Sequence, residues 1–150
     1  MKICQIGAGL IGRERIAALM ELVKAGRNIE LMAVYDPFLK EKPELLQRNN
    51  LRLVDSMEDI FSTKPDWIFI STPHDTAAEL AKSALSRGHN VLMEKPLGRN
   101  FAEAEKIVAS QVRENQLFVG CNYRFYEGIN AALKDIRRKP ERPEQLETGP

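Results

Sequence analysis

The chain has 150 residues, enough for one domain with a buried core. Hydrophobic residues make up 43% and charged residues 29%, which excludes disordered and collagen-like classes. Lys and Arg number 22 against 21 Asp and Glu, a formal net charge of +1, so bulk charge drives no nucleic-acid binding.

Lys2–Ile6 is a compact apolar run and predicts the first strand. From Leu10 to Ala25 the residues Ile16, Leu19, Met20 and Val23 follow helical spacing, and Gly26 supplies the stop. Glu30–Tyr35 predicts strand 2, Pro43 to Arg48 a short helix, and Leu51–Val54 strand 3. Ser56 and Asp59 form a capping-box-like start for a helix reaching Phe61. Trp67–Ser71 reads as a fully buried strand 4. Ala77, Leu80, Ala81 and Ala84 mark the next helix, which Gly88 ends. Asn90–Met93 predicts strand 5. Asn100, with Glu103 three residues on, caps a helix carrying Phe101, Ala104, Ile107 and Val108. Leu117–Val119 predicts strand 6, and a last helix is expected from about Tyr126 to Arg138. Pro140, Pro143 and the acids of 140–150 predict a flexible, charged tail after a domain spanning 1–139.

The longest apolar runs, Ile16–Met20 and Leu31–Tyr35, have five residues each, too short to span a bilayer as a helix. Cys4 and Cys121 show no CxxC or Cys/His spacing, so neither a disulfide framework nor a metal site follows. They read as free thiols in a reducing compartment. The first residues lack a small-x-small cleavage site, and the chain is expected to be cytoplasmic.

Strands without polar alternation, each followed by a helix, predict a parallel sheet covered on both faces. Six of them suit an α/β, doubly wound Rossmann fold with strand order 3-2-1-4-5-6. Gly7-Ala8-Gly9-Leu10-Ile11-Gly12 is a GxGxxG turn directly after strand 1 and directly before a helix. Gly7 permits the tight turn, Gly9 clears the approach of a pyrophosphate, and Gly12 lets helix and strand pack closely. Free N–H groups at the helix start, Leu10 and Ile11 among them, then face the phosphates. Asp36 stands 24 residues past Gly12 at the end of strand 2. Its carboxylate can accept hydrogen bonds from a ribose diol and would repel a 2′-phosphate, which favours NAD over NADP. Asp36 can equally be a turn residue before Pro37.

Ser71-Thr72-Pro73-His74 ends strand 4 and Glu94-Lys95-Pro96 ends strand 5, both on the rim where open parallel sheets bind ligands. A lysine there can take a hydroxyl proton as hydride leaves the carbon, although a Glu-Lys-Pro tripeptide alone is most often a surface turn. Arg124, in Asn122-Tyr123-Arg124-Phe125, can meet an anionic group, pair with Glu94, or cap a helix. His74 reads as a polar rim residue and His89 as a turn residue.

Together these residues resemble the N-terminal half of the glucose-fructose oxidoreductase / inositol dehydrogenase (Gfo/Idh/MocA) family. The resemblance rests on the glycine turn, Asp36, Ser71-Thr72-Pro73, the run from Gly88 to Leu97, and Gly120 to Phe125, and covers about residues 1 to 136. It implies an NAD(P)-dependent oxidoreductase acting on a sugar, polyol or related small hydroxy or carbonyl compound. By position, Lys95 would be the catalytic residue, Glu94 would help form the cofactor pocket, and Thr72 and Pro73 would line the nicotinamide side. The bond before Pro96 would be cis. Ala77 stands where the family has a histidine, and the family's C-terminal substrate domain has no counterpart in these 150 residues. A second domain or self-association would cover the rim. The alternative is a stand-alone nucleotide-binding module without turnover, used for sensing or assembly.

Overall fold

Strand β1 (Lys2–Ile6) lies at the centre of the sheet because its residues can be buried on both faces: Ile3, Cys4 and Ile6 are fully enclosed. The computed structural model describes residues 1–39 and 44–138. Pro43 and the tail from Lys139 onward therefore lie outside the described residues. The other strands are β2 (Glu30–Tyr35), β3 (Leu53–Val54), β4 (Trp67–Ile70), β5 (Asn90–Met93) and β6 (Leu117–Val119). The helices are α1 (Leu10–Lys24), α2 (Glu44–Arg48), α3 (Met57–Ser62), α4 (His74–Ser86), α5 (Phe101–Ala109) and α6 (Glu127–Arg138). The chain divides into two compact units, Met1–Gly120 and a second beginning at Cys121.

All six strands run parallel in the order β3-β2-β1-β4-β5-β6, as the alternation of strands and helices predicts. The chain winds outward from β1 to β3 and then returns to β4 on the other side of β1. That reversal leaves a crevice beyond the carboxyl ends of β1 and β4. Successive residues of β4 face opposite cores. Ile68 and Ile70 pack into one core with Phe61, Leu85 and Ile107, while Trp67 and Phe69 lean on the other, built on Ile3, Ile16 and Leu46. Ala77 belongs to the first core.

The boundaries differ in places. β3 is two residues long and not four, because the Leu51 N–H turns back to the Leu46 carbonyl at 2.8 Å and closes α2. Only Leu53 and Val54 pair with Val34 and Tyr35. β4 stops at Ile70, which leaves Ser71 in the turn above it. A 3₁₀ turn over Asn122–Phe125, unforeseen in the sequence, precedes α6 in the second unit. Both side-chain caps hold: Ser56 Oγ accepts from Asp59 N–H at 3.1 Å, and Asn100 Oδ1 from Glu103 N–H at 2.9 Å.

Gln116, fully buried just before β6, ties three segments together. Its Oε1 accepts from the N–H groups of Val112 and Arg113 at 2.9 and 3.1 Å. Its Nε2 donates to the carbonyls of Leu85 and His89 at 3.0 and 2.9 Å. Replacing it with Leu keeps the approximate size but orphans these groups. Gln116→Leu is expected to lower unfolding stability by about 2–4 kcal/mol, read from urea denaturation.

Glu103 closes the start of α5 by accepting from Arg99 N–H at 2.7 Å and from the Arg99 guanidinium. These bonds pull its carboxyl down from the ordinary 4.5 to about 2. A lowered value in the folded chain means that the contribution is complete above about 4.5 and is lost as pH falls towards 2. An NMR titration should find the Glu103 midpoint near 2, moving back towards 4.5 in Arg99→Ala.

Candidate functional site

The crevice begins at the glycine turn. Gly7 has φ +87° and donates its N–H to the Tyr35 carbonyl at 2.8 Å. A Cβ on Gly7 would lie 2.5 Å from the Ser71 carbonyl oxygen, so the turn presses directly on the end of β4. A Cβ on Gly12 would run into the Gly7 carbonyl. Both positions are thus reserved for close approach. Gly9 differs: a Cβ there would meet nothing within 4 Å. It caps α1 without any side-chain hydrogen bond, and the first turn of α1 carries no acid. The first N–H groups of α1 therefore have no side-chain partner, and an anion is their natural complement. Leu10 and Ile11, exposed by 71% and 43%, flank this opening.

Asp36 stands beside the turn. Its Oδ2 accepts from Ala8 N–H at 2.7 Å and its Oδ1 from Phe38 N–H at 2.8 Å. Asp36 thus shapes the turn around Pro37 and also borders the glycine loop. Each oxygen keeps a further lone pair for a hydroxyl.

At the end of β4, Ser71 Oγ and Thr72 Oγ1 are buried and have no hydrogen-bond partner among the described residues. Buried hydroxyls without partners are uncommon, and the backbone that carries them lies against Gly7. Pro73 and His74 follow, both exposed, at the start of α4. His89 lies elsewhere: it stacks on Phe61 with centroids 5.3 Å apart and keeps a structural role.

Glu94 follows β5 and is half-buried. Its partner is Arg15 of α1, whose Nε donates to Oε1 at 2.6 Å. The sequence offered Arg124 as one candidate partner for Glu94 and did not single out Arg15. Arg124 belongs to the 3₁₀ turn of the second unit, where its N–H donates to the Cys121 carbonyl at 3.4 Å. The overlooked signal was spacing. Arg15 lies three residues after Gly12, so it shares the sheet-facing side of α1 with Gly12 and Leu19. Lys95 is exposed, has no acid partner among the described residues, and is joined to Pro96 by a cis peptide bond.

Among the described residues no group of three or more His, Cys, Asp or Glu could hold a metal ion, and no helix is long and apolar enough to cross a membrane.

A parallel sheet reversing beside a bare glycine turn, with an acid at the end of the second strand, defines a dinucleotide-binding domain of the Rossmann type. The chain belongs to the Gfo/Idh/MocA oxidoreductase family, matching its NAD-binding Rossmann fold over residues 1–123. It is similar to the rhizopine catabolism protein MocA of Rhizobium meliloti, 29% identical over 136 residues, covering 88% of this chain and 41% of that protein. Among solved structures it resembles an NAD-binding protein from Listeria innocua, at 29% identity and TM-score 0.75, covering 91% of this chain and 40% of that one. It also resembles a myo-inositol dehydrogenase from Corynebacterium glutamicum, at 29% identity and TM-score 0.72, covering 91% and 41%. The chain thus spans about two fifths of the length of these relatives.

The two glycines make opposite predictions. Gly9→Ala should keep the melting temperature within a few degrees but weaken NADH binding about tenfold or more, because its methyl fills only the open cradle. Gly12→Ala should cost about 1–3 kcal/mol of stability, because backbone at Gly7 must move. Thermal melts and fluorescence titrations separate the two.

Proposed function

We propose that residues 1–139 serve as the cofactor domain of an NAD-dependent dehydrogenase acting on a sugar, polyol or related small hydroxy compound. The observation that carries this reading is the open cradle at Gly9, where a Cβ meets nothing within 4 Å. The uncapped start of α1 and the partnerless hydroxyls of Ser71 and Thr72 support it. The residues therefore fit a dinucleotide. Gly7, Gly9, Leu10, Ile11 and Gly12 would hold its diphosphate, and Asp36 its adenosine ribose. Ser71, Thr72, Pro73, Glu94 and Lys95 would line the nicotinamide end. Asp36 would exclude a 2′-phosphate by charge, so NAD is favoured over NADP.

When bound, the nicotinamide supplies the hydride-accepting carbon. The chain's own contribution is positioning and proton transfer. Lys95, as the neutral amine, would take the substrate's hydroxyl proton. Its exposure means that shielding from water must come from substrate, a second domain or a second copy of the chain. Cys4 and Cys121 are free thiols, which suits a cytoplasmic setting.

The test titrates NADH and NADPH against the chain by fluorescence and then assays polyol and sugar oxidation. NADH should bind more tightly than NADPH. Lys95→Ala should retain NADH binding while turnover falls about 100-fold or more. Binding without turnover by the wild type would instead favour a stand-alone nucleotide-binding module. No binding of either nucleotide would remove both readings.

A further inference from the structure

We propose that Arg15 is a positioning residue of the nucleotide crevice: its guanidinium fixes the Glu94 side chain over Gly120 and offsets the carboxylate's charge at the rim. The inference rests on the nucleotide-binding reading above and extends it to a residue of α1 that the glycine motif does not include.

Three elements meet at this pair. Arg15 reaches from α1 to Glu94 at the end of β5, 79 residues away, and the two form an ion pair with 18% of each side chain exposed. Backbone bonds fix the ground beneath them. Glu94 N–H donates to the Ile70 carbonyl at 3.1 Å, and Gly120 N–H to the Met93 carbonyl at 2.8 Å. A Cβ on Gly120 would lie 2.6 Å from Arg15 Nη2 and 3.2 Å from Glu94 Oε2. The pair therefore occupies the space that a bare Cα leaves at the end of β6.

Its place explains its use. Two acids border the crevice. Asp36 is satisfied by the N–H groups of Ala8 and Phe38. Glu94 relies on Arg15, since Arg13 turns its Nε to the Gly9 carbonyl instead. Without Arg15, a half-buried carboxylate would stand uncompensated on the rim that would receive a doubly charged dinucleotide. Such repulsion weakens anion binding and is screened by salt. A tie that merely held α1 to β5 would give a loss indifferent to salt and to the charge of Glu94.

The experiment measures NADH affinity by fluorescence between about 0.01 M and about 1 M salt, with melting temperatures recorded alongside. Arg15→Met is expected to bind NADH about tenfold more weakly at low salt, with the deficit shrinking as salt rises. Glu94→Gln in that background should recover most of the loss, and Arg15→Lys should keep the wild-type salt response. Glu94→Gln alone should bind NADH more tightly at low salt and lose that gain at high salt, an arm that stands even if Arg15→Met does not fold. A deficit equal at all salt concentrations and not rescued by Glu94→Gln would overturn the inference, as would an unchanged salt response in Glu94→Gln alone. In either case NADH binding by the wild type would leave the nucleotide reading standing. Absence of NADH binding by the wild type would overturn both.

Discussion

The close approach of main chain to main chain around β1 organises everything else in the first unit. Gly12 touches the Gly7 carbonyl, and Gly7 lies against the Ser71 carbonyl. No side chain fits into either contact. Helix α1 is consequently drawn down onto β1, and the end of β4 is drawn up beside the turn. The crevice between them is a product of packing before it is a feature of chemistry. Once the backbones have closed to that distance, the start of α1, the Asp36 carboxylate on Ala8 N–H and the backbone of Ser71 and Thr72 all adjoin the glycine turn.

The same constraint divides the rim into a rigid part and an exposed part. Asp36 and Glu94 are held by named partners, Ala8 and Phe38 for one and Arg15 for the other. Lys95 and Pro73 stand in solvent. Rigidity is concentrated where a nucleotide would be gripped, and freedom remains where a substrate would have to enter and leave. The family's NAD-binding Rossmann fold covers residues 1–123, and the chain spans about two fifths of its MocA relative.

Much of this was legible in the residues themselves. Apolar strands without alternation announced a doubly covered sheet, and the order β3-β2-β1-β4-β5-β6 followed from the rule for winding such sheets. The glycines, Asp36 and the segment ending β4 could be placed because each lies next to the strand that positions it. Interactions over long separations were harder to read. Arg15 and Glu94 are 79 residues apart, and they meet over the bare Cα of Gly120. Gln116 belongs to no motif that singles it out in the sequence. Its four bonds appear only when α4, the turn at His89 and the loop at Val112 are folded around it. The 3₁₀ turn at Asn122–Phe125 has no apolar period to betray it.

The flanks of the sheet carry a last consequence. β3 contributes two residues and β6 three, so the central strands are bounded on each side by a very short ribbon. β3 pairs with Val34 and Tyr35 alone, so Glu30 to Ala33 of β2 have no strand on that side among the described residues. The outer side of β2 is therefore the edge at which another polypeptide can pair.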